Sequence, residues 1–183
     1  MLPQTTRALL RHYHPADATE ARYHERMLAL TEAGAQGFAR EHFAPGHFTA
    51  SAFILSPDSS RLLLILHGKL GLWLQPGGHV ENEDASIVAA ATREVLEETG
   101  LDAVDLVRDA PIDLDIHMIP ARKETPAHEH FDVRFLFRSR TERHEAQSDA
   151  LAARWVSLRD LDGLQTDESV LRAVRKTRAL LTP

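Results

Sequence analysis

The stretch that decides the fold is Arg93-Glu94-Val95-Leu96-Glu97-Glu98-Thr99-Gly100. It ends a helix that the spacing of apolar residues predicts over about residues 85–99. On that helix Glu94, Glu97 and Glu98 stand at i, i+3 and i+4, so their carboxylates share one face. Like charges at these spacings repel each other, and the carboxyl end of a helix disfavours anions. Arg93 can pair with Glu97 across one turn, but it leaves the face negative, so the pattern predicts a bound cation.

The ions that this acidic face predicts are Mg²⁺ and Mn²⁺, because hard divalent ions prefer carboxylate oxygens. Taken alone, the three glutamates would favour an ordinary acidic surface helix. The preceding segment, Pro76-Gly77-Gly78, favours a metal site instead. Pro76-Gly77 is typical of a type II turn, and Gly78 lets the backbone pass close to a ligand and turn a carbonyl inward.

Residues 78–101 resemble the Nudix box, whose pattern is G-x5-E-x7-R-E-U-x-E-E-x-G-U with U an aliphatic residue. The similarity covers residues 76–81 and 93–101, and the flanking segments are similar to the family over most of the chain after His47. The resemblance implies an α/β fold, an α/β/α sandwich around a mixed sheet. It also implies a hydrolase that uses Mg²⁺ or Mn²⁺ to cleave a diphosphate linkage.

The same resemblance implies roles for the box residues. Glu94, Glu97 and Glu98 would hold the metal with the carbonyl of Gly78, while Arg93 keeps the glutamates in place. Glu94 or Glu97 would also serve as the catalytic base.

Some branches of the family take the base from a loop beyond the box. Residues 141–149 offer Glu142, Glu145 and Asp149 for that role. The residues just before Trp155 offer none.

One position departs from the family pattern. Asp84 stands where the box has its first glutamate, and eight residues rather than seven separate it from Arg93. In the family that glutamate orients the box arginine, so the resemblance implies that Asp84 contacts Arg93. Glu81 and Glu83 are the alternatives.

A second group of candidate ligands follows the box, in Asp115-Ile116-His117 and His128-Glu129-His130-Phe131-Asp132. A connection through residues 120–127 would make the two segments antiparallel strands, with His128 and His130 on one face and His117 close to them. These three histidines could form a second site, for a transition metal, could contact the substrate, or could be half-buried structural residues.

Other candidates for contact with substrate phosphates flank the expected entrance to the site. They are His67, Lys69 and His79, with simple surface placement as the alternative.

The remaining elements follow from apolar spacing and turn residues. Residues 17–33 predict a helix, so we assign residues 1–45 to a helical extension packed on the core and residues 46–183 to a Nudix domain. The other predictions are a hairpin over residues 47–55 and 61–67, strands near residues 103–107, 112–119, 131–138 and 154–158, and a helix over residues 167–181.

The amino-acid composition argues against several classes of function. A net charge of −6 argues against binding to duplex nucleic acid, which requires many Lys and Arg residues. The lack of cysteine excludes thiolate metal sites, and it excludes the isoprenoid-diphosphate isomerase branch, which uses a catalytic cysteine. No apolar stretch is long enough for a membrane span, and the amino terminus does not resemble a signal peptide, so we expect a cytoplasmic protein.

The expected substrate is a small nucleotide-type molecule, either a nucleoside diphosphate linked to another moiety or a nucleoside triphosphate. A nucleotide-binding regulatory module on the same fold is the alternative, but such modules usually lose box carboxylates. The extension near Tyr23 and Met27 could contribute to a homodimer interface.

Overall fold

An eight-stranded mixed sheet forms the centre of the molecule. The computed structural model describes residues 2–148 and 150–182. In chain order the helices are α1 (Leu2–Arg11), α2 (Ala18–Leu30), α3 (Ile87–Thr99) and α4 (Glu168–Leu181), with 3₁₀ segments at Thr31–Phe38 and Leu161–Gly163. The strands are β1 (Gly46–Leu55), β2 (Arg61–His67), β3 (Trp73–Leu74), β4 (Gly77–His79), β5 (Val104–Leu106), β6 (Asp113–Ile119), β7 (His128–Ser139) and β8 (Ala150–Ser157).

Strands β1 and β7 lie side by side in the middle of the sheet and run parallel, from Gly46 opposite Glu129 to Leu55 opposite Arg138. The strand order is β3-β2-β1-β7-β5, with β4 also paired to β1, β6 to β7 and β8 to β2. Every pair except β1–β7 is antiparallel. The sheet is therefore mixed, as predicted.

Helices cover both faces of the sheet. On one face α3 and the amino-terminal helices pack against β1, β6 and β7, and on the other face α4 packs against β1, β2 and β7. Buried residues of the first core include Leu10, Met27, Phe48, Ala91, Val95, Leu114 and Phe135, and those of the second include Phe53, Leu62, Leu136, Val170 and Val174. The predicted α/β/α sandwich is confirmed.

The predicted elements are present, with differences at their ends. The hairpin of β1 and β2 is confirmed, with Ile54 opposite Leu63. Strand β7 begins at His128, three residues before its predicted start. Strand β8 begins at Ala150, four residues before its predicted start. The early segment of β7 is polar, His128-Glu129-His130, so an apolar pattern does not reveal it. The early segment of β8 is Ala150-Leu151-Ala152-Ala153, whose small residues give no alternation of polar and apolar positions. Helix α1 was not predicted.

The amino-terminal helices share the core of the sheet. Glu20 of α2 is fully buried, and its carboxylate accepts the backbone N–H of Leu114 on β6 at 3.1 Å and pairs with Lys176 of α4. Met27 is also fully buried. Since Met27 already packs inside its own chain, its place in a homodimer interface is not supported.

None of the helices in the described part of the chain combines the length and the apolar character that crossing a bilayer requires.

A buried arginine anchors the polar part of the sheet. Arg134 on β7 is 2% exposed, and its guanidinium lies 3.2 Å from the carboxylate of Asp113, 3.1 Å from that of Asp115 and 2.8 Å from that of Asp132. Arg172 of α4 adds a second cation to Asp113 and Asp115. Because these carboxylates are buried, they depend on the two arginines for compensation.

Replacing Arg134 with methionine should therefore lower the free energy of unfolding by roughly 3–5 kcal/mol, because buried carboxylates lose their main partner. Urea unfolding followed by tryptophan fluorescence measures the effect. Arg140→Met is the matched control, since its pair with Asp105 is exposed, and it should change stability little. Equal losses in the two variants would contradict the assignment.

Candidate metal and active site

The backbone of Gly77 and Gly78 lies between strand β1 and helix α3. In β4, Gly77 stands opposite Ser51 and Gly78 opposite Ala50. A Cβ added to Gly77 would lie 2.3 Å from Cβ of Ser51, and one added to Gly78 would lie 2.7 Å from Oε1 of Glu94. Gly77 has no room for a side chain, and a side chain at Gly78 would displace the carboxylate of Glu94, so the glycines allow the strand to approach the acidic helix.

The predicted type II turn at Pro76-Gly77 is wrong. The carbonyl of Pro76 accepts the N–H of Ala52 at 2.9 Å, and Gly77 continues into the extended strand β4. The glycines at this point are required by close approach to β1 and α3. They are not required by a positive φ, which a type II turn needs at its third residue.

Two of the three glutamates are fixed against this strand. Glu98 is 6% exposed, and its carboxylate accepts the N–H of Gly77 at 2.9 Å. The side chain of Glu94 is 13% exposed and lies beside Gly78, whereas that of Glu97 is 49% exposed. The end of α3 thus presents two held carboxylates and one that faces solvent.

Arg93 connects the residues of the site. Its Nη1 donates to Glu94 at 2.9 Å and to Glu97 at 3.1 Å, the second being the pair that the spacing predicts. Its Nη2 donates to the carbonyl of His79 at 2.8 Å and to Asp84 at 3.1 Å, and its Nε donates to Asp84 at 3.2 Å. One guanidinium therefore holds α3, β4 and the turn before α3 together.

The charges around Arg93 do not balance. Asp84, Glu94 and Glu97 bring three carboxylates to one guanidinium. Burial raises the pKa of Glu94, and the nearby charge of Glu97 acts in the same direction, although Arg93 opposes both. A divalent cation would supply the missing positive charge, and oxygen ligands are what Mg²⁺ and Mn²⁺ prefer. The residues present fit such an ion.

A separate histidine cluster lies on the sheet face opposite α3. His47 of β1 stands opposite His130 of β7, and the neighbouring position Thr49 stands opposite His79 of β4. The ring of His47 is centred 5.1 Å from that of His79 and 4.9 Å from that of His130, and the rings of His79 and His130 are 5.1 Å apart. One ligand atom from each of the three lies within 4.8 Å of the other two.

The group of three histidines predicted from the sequence is therefore corrected in two of its members. As predicted, His117 and His130 are partners on antiparallel strands, and His128 shares the face of His130. However, Nδ1 of His117 lies 3.1 Å from Asp115 and its ring is largely exposed. The ring of His128 is centred 5.1 Å from that of His47 and 5.3 Å from that of His130, but its nitrogens are not among the three that converge. In the described part of the chain, the ring nitrogens that converge belong to His47, His79 and His130.

Two ring nitrogens of this cluster have no hydrogen-bond partner among the described residues. Nε2 of His47 and Nε2 of His130 are both buried. A buried polar atom left unsatisfied costs about 1–3 kcal/mol. Burial lowers the pKa of His79 to about 4 and that of His130 to about 2, and it also lowers that of His47. At neutral pH the three rings are therefore uncharged.

His47 was not predicted as a site residue. The alternation of His47, Thr49 and Ser51 along a strand places them on one face, and this was the available signal. Pairing of β1 with β4 and β7 decides what that face meets, and no local pattern specifies such pairing.

The remaining predicted substrate contacts lie elsewhere. His67 is the last residue of β2, and Lys69 is exposed in the turn that follows, where its backbone N–H donates to Nδ1 of His67 at 3.2 Å. Both residues stand near the start of β3, whereas the histidine cluster occupies β1, β4 and β7.

Comparison with known protein families shows which family the chain belongs to. Residues 45–175 match the model of the NUDIX domain family. The chain belongs to the Nudix family. A search of curated protein sequences gives no significant match.

Solved Nudix structures have the same fold. A NUDIX-family hydrolase from Clostridium perfringens is 24% identical, with 73% of this chain and 97% of that chain covered and a TM-score of 0.55. The NUDIX domain of Shewanella oneidensis NrtR, in complex with ADP ribose, is 19% identical, with 74% and 88% covered and a TM-score of 0.55. A C. elegans Ap4A hydrolase is 16% identical, with 73% and 96% covered and a TM-score of 0.55. At these identities the likeness concerns the fold.

The one-residue insertion in this Nudix box is accommodated before α3 begins. Asp84 lies in the turn ahead of the helix, where its carboxylate accepts the N–H of Glu81 at 2.8 Å as well as the two bonds from Arg93. Asp84 thus makes the arginine contact that the resemblance implies. Glu83 is exposed, and Glu81 contributes its backbone to the turn.

The loop after β7 in this Nudix chain packs on the end of α3. The N–H of Glu145 donates to the carbonyl of Thr99 at 2.9 Å, and that of Gln147 donates to the carbonyl of Glu98 at 3.0 Å. The carboxylate of Glu142 is 2.5 Å from Arg61 of β2. Asp149, another predicted candidate for the base, lies outside the described residues.

Replacing Asp84 with alanine should lower the free energy of unfolding by about 1–3 kcal/mol, because Arg93 loses two charge-assisted bonds and the turn loses its acceptor. Thermal and urea unfolding measure this loss. Glu83→Ala is the neighbouring control and should have little effect, since its side chain is exposed. If Glu83→Ala were the more damaging change, Asp84 would not be the partner of Arg93 in solution.

Proposed function

We propose that this Nudix protein is a hydrolase that requires Mg²⁺ or Mn²⁺ and cleaves a diphosphate linkage. The substrate is a nucleoside diphosphate linked to another moiety, or a nucleoside triphosphate. The observation that carries this proposal is the gathering of three glutamates at the glycine strand. Arg93 holds Glu94 and Glu97, and the N–H of Gly77 holds Glu98.

The metal-binding residues that we propose are Glu94, Glu98 and Glu97 with the backbone of Gly78. When bound, the divalent ion neutralises the phosphate oxygens that otherwise repel an attacking water. Arg93 positions the carboxylates through its bonds to Glu94 and Glu97. Glu98 keeps its orientation through the N–H of Gly77.

For the catalytic base we propose Glu97. A base must reach a water molecule, and the side chain of Glu97 is 49% exposed whereas that of Glu94 is 13% exposed and packed beside Gly78. Of the three loop candidates, Glu142 is already paired with Arg61 at 2.5 Å, while Glu145 and Asp149 stay alternatives. Arg93 donates to Glu97 at 3.1 Å, which orients its carboxylate while leaving one oxygen for the water.

The regulatory alternative is less well supported, because Nudix modules without catalysis usually lose a box carboxylate and this chain has all three. The similar structures include an Ap4A hydrolase and a NUDIX domain bound to ADP ribose, so both ligands belong in the first tests. We further propose that residues 46–183 form the catalytic domain and residues 1–45 an extension of it, and that the exposed His117 and Lys69 contact substrate phosphates.

The first test is a substrate panel assayed with Mg²⁺ and with Mn²⁺, with products identified by mass. The panel contains ADP-ribose, nucleotide sugars, dinucleoside polyphosphates and modified nucleoside triphosphates. We expect at least one to be cleaved at a diphosphate linkage, and chelation of the metal to stop the reaction. Tight binding without turnover of any member would favour the regulatory module.

The double variant Glu97→Gln/Glu98→Gln should lower kcat/KM by at least about a hundred-fold, because changes merely next to a metal ligand already cost up to that much. Its circular dichroism should match that of the original chain, since glutamine conserves size and still accepts the N–H of Gly77. Glu142→Gln is the control and should retain most of the activity. Undiminished turnover in the double variant would refute the assignment.

The pH dependence separates the roles of Glu94 and Glu97. A carboxylate base loses activity toward acid pH, because its protonated form cannot accept a proton. We expect Glu97→Gln to remove this acidic limb from the profile of residual kcat, and Glu94→Gln to keep the limb while raising the Mg²⁺ concentration needed for activity. The opposite result would make Glu94 the base.

A further inference from the structure

We propose that His47, His79 and His130 form a second metal site, for a transition-metal ion such as Zn²⁺ or Co²⁺, separate from the carboxylate site. Three strands bring the ligands together. The pairing of β1 with β7 sets His47 beside His130, and the pairing of β1 with β4 adds His79 one pleat further along. One nitrogen from each ring lies within 4.8 Å of the other two.

The orientation of His47 is that of a metal ligand. Its Nδ1 lies 3.2 Å from the carbonyl oxygen of His42, and because a carbonyl can only accept, Nδ1 carries the hydrogen. The lone pair is then on Nε2, which is buried and has no hydrogen-bond partner. A ligand histidine that donates its other ring nitrogen to a backbone carbonyl is a recurring arrangement in metal sites.

His130 provides a second buried nitrogen of the same kind, its Nε2. Other polar groups on this face of the sheet have partners. Asp132, two residues further along β7, accepts hydrogen bonds from Ser51 at 2.8 Å and from Arg134 at 2.8 Å. Among the described residues, Nε2 of His47 and Nε2 of His130 are buried without a partner, and both lie where an ion could accept their lone pairs.

Ligand chemistry selects the class of ion. Neutral imidazole nitrogens suit Zn²⁺, Co²⁺, Ni²⁺ and Cu²⁺, whereas Mg²⁺ prefers oxygen. Tetrahedral coordination with metal–nitrogen distances of about 2.0–2.1 Å requires the ligand nitrogens to lie about 3.4 Å apart. Small rotations of the rings would bring the nitrogens to this distance from their present spacing of up to 4.8 Å.

The proposed site is coupled to the catalytic one through His79. Its side chain belongs to the histidine cluster, its carbonyl accepts from Arg93 at 2.8 Å, and it follows Gly78 directly. An ion held by His79 would therefore fix the end of β4 against which Arg93 and the glutamates are arranged. The histidine site has a positioning role for the carboxylate site.

The experiment uses the full chain, freed of metal by a chelator and then supplied with excess Mg²⁺ to occupy the carboxylates. Co²⁺ is titrated in, and binding is followed by its visible absorption and by calorimetry. We expect one equivalent to bind with the spectrum of nitrogen ligation, and Tm to rise. The double variant Glu97→Gln/Glu98→Gln should still bind this equivalent, which separates the histidine site from the proposed hydrolase activity.

Two matched variants decide which histidines bind. His79→Gln changes a half-buried ligand at the edge of the cluster and should weaken Co²⁺ binding by more than about a hundred-fold. His117→Gln changes an exposed ring centred 5.5 Å from that of His130 and should leave binding unchanged. Circular dichroism and Tm of the metal-free variants show whether each is folded.

Three results would overturn the proposal. They are a wild-type chain that binds no Co²⁺ in excess Mg²⁺, unchanged binding in His79→Gln, and equal losses in His79→Gln and His117→Gln. Should His79→Gln be unfolded, His130→Gln replaces it with the same expected loss.

Discussion

The rest of the site depends on the passage of a side-chain-free strand between β1 and helix α3. A Cβ on Gly77 would collide with Ser51, and one on Gly78 would collide with the carboxylate of Glu94. With hydrogen in both places, the strand pairs with β1 and still offers its N–H to Glu98. The glutamates of α3 can therefore meet the backbone directly, which is the geometry that a shared metal ion requires.

This close approach gathers more negative charge than the helix alone could tolerate. Repulsion between the glutamates and an unfavourable helix dipole both oppose the arrangement. Arg93 offsets part of it by bonding to Glu94, Glu97 and Asp84. The remaining negative charge is what the proposed divalent cation would compensate. The negative charges that destabilise the metal-free chain at this point therefore also give the site affinity for a positively charged ligand.

Polar groups are arranged differently on the opposite face of the sheet. Several of its polar groups are buried and paired, among them Ser51 and Thr49 with Asp132, and Arg134 with Asp113. At the end of this face that carries His47 and His130, the pairing stops and buried nitrogens are left over. An ionic network supported by α4 thus continues directly into a cluster of neutral rings.

The sequence by itself determined most of the elements and the acidic helix, because apolar periodicity and the spacing of charges are local properties. The β1–β2 hairpin and the sharing of one face by His128 and His130 were predictable in this way, whereas the mixed sheet was implied by the resemblance to the Nudix family. Only the tertiary structure decided that Gly77 lies in a strand, that Asp84 is the partner of Arg93, and that His47 joins His79 and His130. These contacts depend on which strands pair, and strand pairing is fixed by packing over the whole sheet rather than by neighbouring residues.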